Sequence, residues 1–382
     1  MKKVYFDNAA TTPLRNEVIL TMTNALKTEF GNPSSTHSYG RSSKSLLENC
    51  RKEIAKTFNV QPSEIIFTSG GTEADNLVLQ SCVRDLGVQR IISSKIEHHA
   101  VLHTLESLQR KEGVALAFVS LNDKGTVSLS HLESLLKNSH EKTLVSLMHV
   151  NNELGTLLPI EEVAQLCKKY DALFHSDMVQ SIGHFHTDFS AIPIDFAAAS
   201  AHKFHGPKGV GFAILRKYLP IKSLILGGGQ ERGLRAGTEA VYAIAGMTEA
   251  LKIAYHQLNA EKEAIEELKN YFVEELKKHV PGVEFNGESD NFETTTYTIL
   301  NISLPVSEEK GILLVFQLDL KGIACSQGSA CQSGSMGGSH VLNEVLSPEA
   351  LKRPSLRFSF SCFNTREEVD YVVATLKEFV EN

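Results

Sequence analysis

A chain of 382 residues is too long for one small core and predicts two or three domains. Apolar residues at 42% and charged residues at 22% belong to an ordinary globular protein, and a net charge of -7 argues against general nucleic-acid binding. No apolar run approaches membrane-spanning length, and Met1-Lys2-Lys3-Val4-Tyr5-Phe6-Asp7 lacks a signal-peptide core, so no membrane partner and a cytoplasmic location are expected.

In chain order, buried strands are expected at Glu64-Ile65-Ile66-Phe67, Arg90-Ile91-Ile92-Ser93 and Ala117-Phe118-Val119. The series continues at Leu144 to Met148, Ala172 to His175, Ala197 to Ala199 and Gly211 to Leu215. Helical patterns, such as Thr72 to Leu86 and Ile160 to Tyr170, lie between them. Such alternation predicts an α/β fold with a mostly parallel sheet flanked by helices. It stops near residue 250. Ile265, Leu268, Phe272 and Leu276 then recur at helical spacing until Pro281-Gly282. A smaller α+β unit follows, with strands at Thr298 to Ile302 and Leu356 to Phe360 and a last helix over 367–379. The expected division is 15–257 as a large domain, with 1–14 and 258–382 as a small one.

Three segments carry candidate chemistry. Ser200-Ala201-His202-Lys203-Phe204-His205-Gly206-Pro207 places a lysine after an apolar run, where an ammonium is costly to hold and a neutral amine can form a Schiff base. A surface lysine is the plainer alternative. Thr68-Ser69-Gly70-Gly71-Thr72-Glu73 follows a strand and opens a helix, which suits a phosphate or a simple N-cap turn. Phe174-His175-Ser176-Asp177 ends a strand with an acid, where ligands bind in parallel sheets. Asp177 would hold a pyridine nitrogen protonated, or merely cap a helix. Gln180 would sit near it and donate to a phenolic oxygen. His98, in Glu97-His98-His99, suits stacking on an aromatic cofactor; with His99 and His103 it also raises a metal, but no acid or cysteine pattern completes such a site.

These segments stand in one order with Asp7-Asn8-Ala9-Ala10-Thr11-Thr12-Pro13, Met148 to Gly155, Gly227 to Gly233 and Gly328-Ser329-Ala330-Cys331. Together they closely resemble the cysteine desulfurases, the NifS-like group of the class V, fold-type I pyridoxal phosphate (PLP) aminotransferases, over essentially the whole chain. The resemblance implies pyridoxal 5'-phosphate as cofactor, bound covalently by Lys203. Asp177 would pair with the pyridine nitrogen, Gln180 with the ring hydroxyl oxygen, and His98 would stack on the ring. Gly71, Thr72, Ser200 and His202 would hold the phosphate. Thr238 would reach it from the other subunit of a homodimer. Asn152 would lie beside ring and substrate, and Arg357 would clamp the substrate carboxylate.

The family reaction takes sulfur from L-cysteine as a persulfide on an enzyme cysteine, leaving alanine. The resemblance puts that role on Cys331, in a Gly/Ser-rich segment expected to be a mobile loop. The long segment resembles the group that passes sulfur directly to partner proteins, such as an iron–sulfur scaffold or a tRNA-thiolation protein. No family extension follows the last helix, so that scaffold is not singled out as the acceptor. Gly71 stands where many relatives carry Ala. The other five cysteines form no C-x-x-C pair with one another or with Cys331; Cys325 and Cys362 are core fillers or second thiols. Selenocysteine lyase or cysteine sulfinate desulfinase activity is the nearest alternative, and a non-catalytic PLP-fold partner protein the next.

Overall fold

The computed structural model describes residues 2–138, 141–216, 219–327 and 338–381. Its centre is a seven-stranded sheet in the order Ile65–Thr68, Gly211–Leu215, Phe196–Ser200, Leu173–Asp177, Thr143–Ser146, Arg90–Ser93, Ala115–Phe118. Gly211–Leu215 runs antiparallel to both its neighbours, and the remaining adjacent strands pair in parallel. This is the α/β architecture that the strand–helix alternation predicts.

Both faces of the sheet are covered by apolar cores, except at the edge strand Ala115–Phe118, which is exposed at both ends. Ile65, Phe67, Phe174, Ala197 and Ala199 point into one core, roofed by helices that include Ser38–Thr57 and Val241–His256. Ile66, Phe196, Ala198 and Ala213 point into the other, against the helices Gly71–Arg84 and His99–Glu112. The run Phe196-Ala197-Ala198-Ala199-Ser200 is buried at every position, as a central strand must be when helices cover both sides. His175 and Asp177 share the face of Leu173, toward Gly71–Arg84, because side chains alternate along a strand.

A separate core gathers Val4 and Phe6 with residues from Ile265 to Leu376. Phe6 packs against Phe272, Phe358 and Phe360 with ring centroids 5.3–6.3 Å apart. Burying each such ring is worth about 1.5–3 kcal/mol. A three-stranded antiparallel sheet orders Ser355–Ser359, Ile299–Ser303 and Glu284–Phe285. Val4–Tyr5 pairs in parallel with Ile323–Ala324, and single bridges join Asp7 to Ser359 and Ser326 to Arg357. These bridges bring the N-terminal segment, the approach to residue 327 and the Arg357 strand to one place. Among the described residues no helix is long and apolar enough to cross a membrane.

Candidate active site

Strands that run the same way end on the same edge of the sheet, and there the loops open a cavity of about 540 Å3. Gly71, Thr72, His98, Asn152 and Asp177 line it, as do Gln180, Ser200, His202, Lys203 and Arg357. The structure therefore brings together all the expected site residues except two. Thr238 is exposed and lies outside the cavity of the single chain. Cys331 lies outside the described residues.

Lys203 closes a short 3-10 turn, Ala201–Lys203, directly after strand Phe196–Ser200. Its Nζ donates to the carbonyls of Ala9 (2.5 Å) and Ala10 (2.9 Å), so the N-terminal segment forms its wall. That segment is tied down by Thr12, whose amide and hydroxyl both donate to the His202 carbonyl at 2.9 Å. Gln180 turns its amide to the Ala9 carbonyl at 2.9 Å, so in this chain its donor serves the same wall. A buried amide must satisfy its donors, and the nearest acceptor here is main chain.

At the far end of the cavity, helix Gly71–Arg84 starts with Gly70 as its N-cap, at φ +150°. The first amides of a helix have no partner within it and favour an anion. Glycine at position 71 has a steric cause. A Cβ added to Gly71 would lie 2.5 Å from Val179 Cγ2, so Val179 occupies the space that an alanine methyl would need. The Ser200 and Thr72 side chains border this corner, as does His202, whose Nδ1 is 3.2 Å from Thr11 Oγ1. Burial, then Lys203 and Lys208, pushes the His202 imidazole down to about 4, so it is neutral near pH 7.

Between these ends lies the acid. Asp177 accepts from the Val179 amide at 2.9 Å, and burial pushes its carboxyl up to about 6 despite that bond and Lys203. A cationic N–H facing this carboxylate would return it to its ordinary range. His98 caps helix His99–Glu112, with Nδ1 accepting from the Ala100 amide at 3.1 Å. That bond leaves the proton on Nε2. Burial and Lys203 push the ring down to about 4, so His98 is an uncharged, flat N–H donor.

Arg357, 2% exposed, donates from Nη1 to the Asn152 carbonyl (2.7 Å) and from Nη2 to Asp7 Oδ1 (3.0 Å). Its Nε is buried with no hydrogen-bond partner among the described residues, in a guanidinium that borders the cavity. Asp7 is a residue the sequence reading assigned no role; its motif stood out, but its contact with Arg357 spans 350 positions. Both ends of the segment that holds Cys331 are fastened here too. Ser326 Oγ donates to Asp7 Oδ1 at 2.8 Å, and its amide donates to the Arg357 carbonyl. Beyond the segment, Ser339 Oγ donates to Glu153 at 2.5 Å, and His340 Nε2 donates to the Glu97 carbonyl at 2.9 Å.

The other cysteines are poor thiolates. Cys325 is buried and pushed up to about 12, and half-buried Cys362 is pushed up to about 11, in both cases chiefly by burial. Among the described residues no His, Cys, Asp and Glu group is arranged to hold a metal.

Taken together, the glycine corner, the buried acid, the flat histidine and the lysine fit a ring that carries a phosphate, a basic nitrogen and an aldehyde, which are the parts of pyridoxal phosphate.

Comparison with known proteins agrees with that geometry. The family profile "Aminotransferase class-V" matches residues 4–372. The chain is similar to the cysteine desulfurase IscS of Dictyoglomus turgidum, at 41% identity over all of this chain and 95% of that one. It is 39% identical to the putative cysteine desulfurase IscS 1 of Bacillus subtilis, over 97% of this chain and 96% of that one. Among solved structures, a NifS-like protein superposes with a TM-score of 0.90 at 35% identity over the whole of both chains. A NifS-like protein from Rickettsia africae gives 0.88 at 32% identity, again over both whole chains.

Proposed function

The chain belongs to the class V aminotransferase family and, within it, to the cysteine desulfurases; we propose that it converts L-cysteine to L-alanine, with the sulfur held as a persulfide on Cys331 and passed to an acceptor protein. Its cofactor, pyridoxal 5'-phosphate, supplies when bound an electron sink for the bonds around the substrate Cα.

Lys203 holds that group through its amine, with Asp177 and Gln180 on the ring's polar edge. The corner of Gly71, Thr72, Ser200 and His202 takes the phosphate, and His98 covers the ring face. His98 is neutral with its proton on Nε2, so it faces the cavity as an uncharged N–H donor. Arg357 meets the substrate carboxylate through guanidinium N–H groups that Asp7 and Asn152 leave available.

The Cys331 thiolate attacks the substrate sulfur. An S–S bond forms, the substrate C–S bond breaks with its electron pair staying on the carbon side, and that carbon takes up a proton to give alanine. The observation that carries the role of Cys331 is the double fastening of its segment. Ser326 is tied to Asp7 and Arg357, and Ser339 and His340 are tied to Glu153 and Glu97. Cys331 is five residues from Ser326, and five extended residues span at most about 17 Å.

Residues 15–257 serve in this reading as the cofactor-holding domain, while 1–14 and 258–382 carry the cysteine segment. A homodimer completes the phosphate end, with Thr238 supplied by the other subunit. Support for that comes from the exposure of Thr238 and from Leu226, which is 86% exposed in the same loop. The acceptor is a cytoplasmic sulfur carrier or scaffold protein. The test is the PLP-loaded protein with L-cysteine, measuring alanine and reducible sulfur together. Equal yields that vanish in Lys203→Ala are expected; a cofactor absorbance with no alanine formed would refute the reading. Selenocysteine and cysteine sulfinate in the same assay rank the alternatives.

A further inference from the structure

Behind Asp177 lies a second acid that the chemistry above does not use. Asp75 sits one turn into helix Gly71–Arg84, is 1% exposed, and borders the cavity. Its Oδ1 is 3.4 Å from Nε2 of His175, which is 0% exposed on the strand that ends in Asp177. The approach is longer than an ordinary hydrogen bond, and neither atom has a hydrogen-bond partner among the described residues. The other ring nitrogen of His175, Nδ1, is 2.9 Å from Ser146 Oγ.

Two arrangements share the one proton between Asp75 and His175. An ionised pair would bury a carboxylate and an imidazolium completely, at a desolvation cost of several kcal/mol for each ion. It would also set the Asp75 charge against Asp177 on the neighbouring strand end, with Glu97 before helix His99–Glu112 itself pushed up by burial to about 8. The uncharged arrangement avoids both costs, and the nearby cation, Lys203, lies on the Asp177 side.

We propose that Asp75 carries the proton and donates it to His175 Nε2, while His175 Nδ1–H donates to Ser146 Oγ, so that Asp177 alone holds negative charge behind the cofactor's nitrogen. Asp75 and His175 are positioning residues: they fix the charge and place of Asp177 without touching the reacting atoms. Burial acts on the two groups in the same sense, raising the Asp75 carboxyl well above the carboxylate range and pushing His175 down to about 3. The consequence for Asp177 rests on its pairing with the pyridine nitrogen. The location of the proton does not.

Infrared spectroscopy of the PLP-loaded protein near pH 7, in H2O and D2O, reads that proton directly. The difference spectrum between the unmodified protein and Asp75→Asn should contain a protonated-carboxyl stretch that shifts with deuterium; Glu97, which burial pushes up to about 8, contributes to both proteins. The same variant keeps an N–H donor toward His175, so the pH midpoint of the cofactor's visible band should move by less than about half a unit. A difference spectrum without that stretch overturns the proposal. A loss of the stretch with a midpoint shift above one unit would keep the proton on Asp75 but reject the pairing of Asp177 with the ring. Nitrogen NMR of His175 in the unmodified protein needs no variant: a neutral ring protonated on Nδ1 is expected, and an imidazolium overturns the assignment.

Discussion

Glu231→Gln tests how the loop from Gly227 to Thr238 is held. Arg51 and Glu231 form a bidentate pair at 2.8 and 2.8 Å, with side chains 2% and 1% exposed. Arg51 Nη1 also donates to the Ile65 carbonyl at 2.6 Å, and its guanidinium lies 4.5 Å from the Phe67 ring centroid. Glu231 accepts the Phe67 amide at 2.8 Å while held at φ +46°, a backbone conformation that the surrounding contacts must enforce. Neutralising the acid leaves a buried guanidinium without its main counter-charge, with only half-exposed Glu48 at 3.2 Å, which costs about 3–5 kcal/mol. An unfolding entropy of about 2.1 cal/mol/K per residue gives about 0.8 kcal/mol/K for 382 residues. If the chain unfolds as one unit, Glu231→Gln should therefore lower Tm by about 4–6 °C. Calorimetry at saturating PLP reads the shift. Replacing both partners, as Arg51→Met with Glu231→Leu, should recover at least half of the loss, because no lone charge remains. A drop below about 1 °C for Glu231→Gln, or no recovery in the double variant, would refute the argument.

Two further outcomes follow from the site and a third from the smaller core. Gly71→Ala should weaken PLP binding at least about tenfold, because its Cβ would meet Val179 Cγ2 at 2.5 Å; adding Val179→Ala should restore it, and equilibrium dialysis of both variants decides. Arg357→Lys keeps a charge but loses the fork, so KM for cysteine should rise by about 10–100-fold with a smaller change in kcat; an unchanged KM would remove Arg357 from the substrate. Lys269 is 0% exposed, donates to the Thr296 carbonyl at 2.7 Å and is pushed down by burial to about 7. The unfolded chain thus binds more protons between pH 7 and 10.5, and stability rises with pH across that window. Denaturant unfolding at pH 7 and 9 should show that rise, and Lys269→Met should flatten it; an equal slope in both proteins would contradict the buried amine.

The sheet was legible because its strands are local apolar runs, and at two of them a side chain set the observed limit. Glu64 closes a 3-10 turn by accepting the Gln61 amide, so the strand expected at Glu64 to Phe67 runs Ile65–Thr68. The Met148 amide goes to the Glu97 carboxylate, so the strand expected to reach Met148 stops at Ser146. The places of Asp177 and Ser200, at strand ends that line the cavity, were legible because chemistry and position coincide there. Asp7 against Arg357, Val179 against Gly71 and His175 against Asp75 were not, since each pairing is made by the fold across the chain or between a strand and a helix. No pattern of spacing encodes such contacts. Gln180 shows another limit: it lines the cavity as expected, but no sequence pattern showed that its amide also donates to the Ala9 carbonyl.

The central claim is that Cys331 receives the sulfur. Mass spectrometry of the PLP-loaded protein after brief exposure to L-cysteine, digested without reductant, should find one added sulfur on the Cys331 peptide and none there in Cys331→Ser. Sulfur found only on the Cys325 or Cys362 peptide, or undiminished turnover in Cys331→Ser, would contradict the account.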